Sequence, residues 1–240
     1  MIELYFCPTP NCQKITIMLE ETGLAYTLHK IDILAGDQND PGFAALSPNR
    51  KVPVIVDSDG PDGQPLTLWE SGAILSYLAD KTGRFMPADA RGRALVNQWL
   101  FWQMAYVGPM MGQLHHFVMY APQDIPYAVE RYMAEVHRLR GLLDDTLKDR
   151  DFIAGELSIA DFALYPWIKG FGFRYPPPHP LPHMEAWLAR LDAREKTQKG
   201  FLANIETIRP EVLGQKPVTD DIRKSLFASF QDGTHGGRKS

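Results

Sequence analysis

Between Leu4 and Asp32 a strand, a proline-broken turn, a helix and a second strand follow one another, and this succession constrains the fold more than any other stretch. Leu4 to Cys7 is a short apolar run that stops at Pro8, as a buried strand does. From Asn11 onward Ile15, Met18, Leu19 and Thr22 recur at helical spacing, and Gly23 supplies a stop. Tyr26 to Asp32 alternates Tyr26, Leu28 and Lys30 against Thr27, His29 and Ile31, which gives a second strand. A strand–helix–strand unit of about 30 residues carries its strands parallel. Its turn, Cys7-Pro8-Thr9-Pro10-Asn11-Cys12, sets a hydroxyl, an amide and two thiols at a helix N-terminus. Unpaired N–H groups and the positive end of the helix dipole favour an anion there, and a thiol pKa falls by about a unit or more. The turn is built to activate sulfur, either the chain's own or that of a bound thiol.

The chain continues in the same order of elements. Pro41 to Leu46 is a short helix capped by Asp40. Lys51-Val52-Pro53-Val54-Ile55-Val56 leads into a third strand, and Leu66 to Trp69 forms a fourth after the turn residues 59–63, so the two make a hairpin. Ser71 caps a helix from Gly72 to about Thr82, which Gly83 ends. The order β-α-β-α-β-β-α, with a proline directly before the third strand, is the pattern of a thioredoxin-like fold. Pro53 is expected in the cis form, presenting the backbone of Val52 to a ligand; the alternative is an ordinary edge-strand proline.

After a linker over 84–89 the strand signals stop. Ala90 to Tyr120 reads as a long helix bent or broken near Gly108-Pro109, and Tyr127 to Lys148 as a second. Ser158-Ile159-Ala160-Asp161 is a capping box with Leu157 and Phe162 placed as its hydrophobic staple, a folding device. Gly170 to Pro182 reads as a loop, with helices again at Pro182–Arg194 and Thr197–Ile208. The fold class expected is α+β: a thioredoxin-like domain over 1–83, an all-α helical domain over 90–209, and a polar tail over 210–240 whose end is mobile.

Composition narrows the function. A net charge of −4 with scattered Lys and Arg argues against a nucleic-acid binder. No stretch approaches the roughly 20 apolar residues of a membrane span, and no leader pattern precedes the first strand. Two cysteines are too few for a disulfide framework and fit a reducing cytoplasm. His115 with His116, and His179 with His183, lack the spacing and partners of a metal site, so no metal is expected.

Three motifs in order, Lys51-Val52-Pro53-Val54, Glu70-Ser71-Gly72-Ala73-Ile74 and Ser158-Ile159-Ala160-Asp161, resemble the cytosolic glutathione transferases. Thr9-Pro10-Asn11, Ser47-Pro48-Asn49, Trp99-Leu100-Phe101-Trp102-Gln103 and the run from Ile125 to Tyr132 are similar to the bacterial Nu class, over about Met1 to Leu202. The resemblance implies a glutathione-dependent disulfide-bond reductase and a homodimer, with glutathione as co-substrate and a small disulfide or electrophile as partner. It implies that Thr9 and Asn11 face the glutathione sulfur. It gives Glu70 the γ-glutamyl ammonium, Ser71 the carboxylate, the Val52 backbone held by Pro53 the cysteinyl part, Gln38 the glycyl end, and Arg131 a contact from the helical domain.

The residues also permit plainer roles: Asn11 as a helix cap, Thr9 as a turn residue, Ser71 as a cap, Arg131 as a solvated charge. Cys7-Pro8 resembles the Omega-class motif with its catalytic cysteine, but a buried structural thiol is the simpler role. Cys12 is read as exposed and oxidisable. Met104, Tyr106, Met110, Tyr165, Trp167, Phe171 and Tyr175 are candidates to line an electrophile pocket or to be core. Two alternatives stay open: a lyase or conjugating transferase acting at carbon, and a redox-responsive regulatory protein.

Overall fold

The computed structural model describes residues 1–172, 175–207 and 217–227. Strands β1 (Ile2–Phe6), β2 (Tyr26–Lys30), β3 (Val54–Asp57) and β4 (Leu66–Trp69) form one sheet in the order β2-β1-β3-β4. β1 runs parallel to β2 and antiparallel to β3, and β3 pairs antiparallel with β4, the pairings expected of the βαβ unit and hairpin. Because side chains alternate along a strand, Ile2, Leu4 and Phe6 share one buried face. They join helices α1 (Pro10–Thr22) and α3 (Ser71–Thr82) in the main core. On the other face Tyr5 and Val54 meet Phe43 of α2 (Pro41–Leu46). Asp40 caps α2 by accepting from the N–H groups of Gly42 and Phe43.

The second half is helical: α4 (Ala90–Trp102), α5 (Gly108–His115), α6 (Pro126–Leu147), α7 (Ile159–Gly172), α8 (Pro182–Asp192) and α9 (Glu195–Phe201). Near Gly108-Pro109, the expected place of a bend or break, the regular helix is interrupted by a π-helical turn over Gln103–Val107 before α5 begins. Pro109 has no N–H to return to the preceding turn, and the Gly108 N–H bonds back to Gln103 O. The loop expected from Gly170 does not begin there, since α7 runs through Gly172. At the capping box, Asp161 accepts from the Ser158 N–H at 3.0 Å. It also takes the Ile153 N–H at 3.0 Å and the Trp187 indole N–H at 2.9 Å. Phe162 is buried edge-on against Phe85 of the connecting segment, so the box ties the two halves together.

Two features add to what the sequence implies. α1 is buried on nearly every side, because its polar residues face the helical half and not water. Gln13 donates to Phe201 O (2.8 Å), Thr16 donates to Gly200 O (2.7 Å), and Glu21 accepts from Arg194 (2.8 Å) and Thr197 (2.7 Å). Within the polar tail Asp220–Phe227 forms α10; its Ile222 and the preceding Val218 pack against Leu34, and the Phe227 ring meets His116. The mobility expected for the final Gly, Lys and Ser residues lies outside the described residues. Among the described residues no helix is long and apolar enough to cross a membrane.

Candidate active site

Thr9 is the N-cap residue of α1, with extended backbone (φ −110°, ψ 156°), and Pro10 takes the first helical position. The Thr9 hydroxyl makes no capping bond, so the helix does not consume it. It sits in hydrogen-bonding contact with the Cys12 thiol instead. In that contact the hydroxyl donates toward the sulfur, which favours the thiolate and opposes the larger upward push of burial. Asn11 does not cap the helix either. Its Oδ1 accepts from the Trp167 indole N–H of α7 at 2.9 Å.

Thr9, Asn11, Gln38 and Val52 line a single cleft of about 440 Å³ between the sheet half and the helical half. Trp167, His115 and Tyr120 form its far wall. Of the aromatic candidates, Trp167 alone among the described side chains lines this cleft, and Tyr165 is core, bonded to Asp192 at 2.6 Å. The Phe171 side chain lies outside the described residues.

Both thiols are held protonated. Burial pushes Cys7 up to about 11 and Cys12 up to about 12, and the helix end does not overcome it. Cys7 lines the cleft and is half-buried. Cys12 is not exposed as expected; its side chain turns inward from the first turn of α1 into the core.

Val52 precedes the cis Val52–Pro53 peptide bond, as expected. Ser71 is the first residue of α3 and not its cap; the cap position is Glu70, which adopts φ +72°, ψ 113°. A left-handed backbone at a residue with a side chain costs about 1–3 kcal/mol and collects at functional sites. Ser71 Oγ accepts from Lys14 Nζ at 3.2 Å, and the same ammonium donates to Gln103 Oε1 in the π-helical turn at 2.7 Å. Burial pulls Lys14 down to about 7, partly offset by the Glu70 carboxylate.

Sequence reasoning missed Lys14 and Gln103. Their signal was a lysine on the inward side of α1, visible only once the helical half is placed against it. Glu70 and Ser71 stand at the start of α3 and do not line the cleft beside Thr9. Arg131 is exposed on α6 and is likewise absent from its lining. Gln38 is buried; its Nε2 donates to Ser225 O of α10 at 2.8 Å, while its Oε1 has no partner among the described residues. Among the described residues no group of three His, Cys, Asp or Glu side chains is arranged to hold a metal.

Residues 8–81 match the family model of the glutathione S-transferase N-terminal domain, and residues 126–190 match that of the C-terminal domain. The disulfide-bond oxidoreductase YfcG of Escherichia coli is 48% identical over 204 residues, covering 84% of this chain and 95% of that protein. A glutathione transferase structure from Pseudomonas putida, with one glutathione disulfide bound per subunit, is 42% identical. It superposes with a TM-score of 0.80 over 83% of this chain and 90% of that one. One from Burkholderia graminis, with two glutathione molecules bound per subunit, is 42% identical with a TM-score of 0.78, over 85% and 88% of the two chains. The sheet order, the helical half and the matches across both halves make the chain a member of the glutathione S-transferase family.

Proposed function

We propose that this chain is a glutathione-dependent disulfide-bond reductase of the Nu class. The observation that carries it is Thr9 and Asn11 side by side at the start of α1, on a cleft whose own cysteines are held protonated. A cleft of about 440 Å³ falls within the common range for small-molecule sites, about 300–1,000 Å³. The unpaired Gln38 Oε1 is an acceptor that a peptide N–H satisfies. Glutathione meets the Val52 backbone through its cysteinyl part, Glu70 and Ser71 through its γ-glutamyl end, and Gln38 through its glycyl end. Lys14 stands behind Ser71, and its protonated form adds positive charge where the γ-glutamyl carboxylate binds. Arg131, placed away from the cleft within one chain, is not assigned a contact.

The Thr9 hydroxyl and Asn11 amide donate to the glutathione sulfur, and donation to the charged form lowers its pKa. The thiolate attacks one sulfur of a disulfide; the new S–S bond forms as the old one breaks, and the departing thiolate takes a proton from solvent. A second glutathione thiolate then attacks the glutathionyl sulfur of the mixed disulfide. Glutathione disulfide and the second thiol are released. Two glutathiones are oxidised, one disulfide is reduced, and no enzyme cysteine enters the balance.

The test is reduction of 2-hydroxyethyl disulfide by glutathione, beside 1-chloro-2,4-dinitrobenzene as carbon electrophile. Asn11→Ala is expected to lower the disulfide rate at least tenfold, and Cys7→Ala with Cys12→Ala to leave most of it. Abolition by the cysteine pair with glutathione binding intact would sink the mechanism. A faster reaction with the carbon electrophile would favour a transferase, and tight glutathione binding without turnover a regulatory protein. We also assign a homodimer, supported by exposed Phe101 (65%) and Tyr127 (77%) on the helical half. Light scattering on the purified chain checks it.

A further inference from the structure

We infer that Trp167 is a positioning residue that sets which way the Asn11 amide faces. The inference rests on the reading that Asn11 donates to the glutathione sulfur. An asparagine amide has an acceptor end and a donor end, and only the donor end stabilises a thiolate. Nothing within Asn11 itself decides which end looks into the cleft.

The Trp167 indole N–H is a donor and never an acceptor. It stands 2.9 Å from Asn11 Oδ1, so the oxygen is committed to the helical half and the NH₂ group is turned away from it. The reversed amide would set a donor against a donor at that distance and break the bond. A wrongly turned Asn11 would present its oxygen to an anionic sulfur and repel it.

The indole is itself held. Trp167 is 8% exposed and lies on the face of α5 where Gly108 and Gly112 recur four residues apart. A Cβ built at either glycine would stand 3.7 Å from the ring, so the two glycines leave the indole clear space beside α5. The N–H reaches from the core of the helical half to the first turn of α1, and both Asn11 and Trp167 line the cleft. A catalytic amide contributed by one half of the chain is thus oriented by the other.

The experiment compares the parent with Trp167→Phe, which keeps a flat ring and loses the N–H. The isosteric β-(3-benzothienyl)alanine at position 167, with sulfur in place of N–H, covers the case in which phenylalanine perturbs folding. The readouts are glutathione affinity by calorimetry, the pKa of the bound thiol by thiolate absorbance near 240 nm, and the pH profile of disulfide reduction. Expected are affinity within about threefold, a thiol pKa higher by about one unit, and a rate about tenfold lower at neutral pH that recovers as pH rises through the new pKa. Packing damage alone would lower the rate equally at every pH and leave the thiol pKa unmoved, and that result overturns the inference. Asn11→Ala separates the two readings. If it raises the thiol pKa while neither Trp167 variant does, only the orienting role falls. If it leaves the thiol pKa unchanged, Asn11 is not the donor and both fall.

Discussion

Lys14 carries an ammonium into a place that is 1% exposed, where its acceptors are Ser71, Gln103 and the Met104 sulfur. These are neutral groups, and Glu70 supplies the nearby negative charge. Burial therefore depresses its pKa from 10.5 to about 7, which ties stability to pH. Between those values the unfolded chain holds a proton that the folded chain lacks, so raising the pH favours folding, by up to about 1.4 kcal/mol per pH unit. Below about pH 7 both states are charged and the dependence from this group ends. Urea midpoints measured at pH 7, 8 and 9 are expected to climb in the parent and to climb less in Lys14→Met. Equal slopes in the two would mean that the lysine stays protonated throughout.

Several elements were legible from the sequence because their signals are local. The βαβ unit, the hairpin, the Asp40 cap and the capping box each lie within a few residues of the side chains that specify them. What α1 does with its polar residues was not legible. Gln13, Thr16 and Glu21 carry no local sign of their partners, which lie more than 170 residues away along the chain. Trp167 was visible as an aromatic near the pocket, but its bond to Asn11 depends on how α7 lies against α1. α10 was hidden for another reason: its stretch is polar, and its few apolar contacts, through Val218, Ile222 and Leu226, are joined by bonds to residues far away in sequence such as Gln38 and Tyr120.

Two tests belong at the level of elements. Removing the Asp161 carboxylate takes the acceptor from the N–H groups of Ile153, Ser158 and Trp187. At about 1–3 kcal/mol for each buried unpaired donor, Asp161→Ala is expected to cost about 3 kcal/mol or more in denaturant unfolding. A chain ending at residue 216 lacks α10 and releases the Gln38 amide from Ser225 O. It is expected to bind glutathione severalfold more tightly by calorimetry. Weaker binding would instead make α10 part of the wall that holds the ligand.

The two halves of the molecule touch most intimately where α9 crosses α1. A Cβ on Gly200 would stand 2.5 Å from Ile17 Cα and 2.6 Å from its nitrogen, backbone atoms that have no room to give. Gly200→Ala is expected to cost about 1–3 kcal/mol through overpacking and to lower the thermal midpoint with it. Around that contact Glu21 is paired to Arg194 at 2.8 Å, and Arg194 and Thr197 hold the Glu21 carboxyl below its ordinary value against the upward push of burial. The consequence reaches evolution and engineering by recombination. The sheet half is not a portable cassette, since joined to another family member's helical half it requires a residue without a side chain facing Ile17 and acceptors for Gln13 and Thr16. Chimeras built at the 84–89 segment are expected to express as soluble protein when the donor of the helical half carries that glycine. Those that bring a larger residue to the crossing are expected to unfold at a lower temperature, and the bulkiest to aggregate.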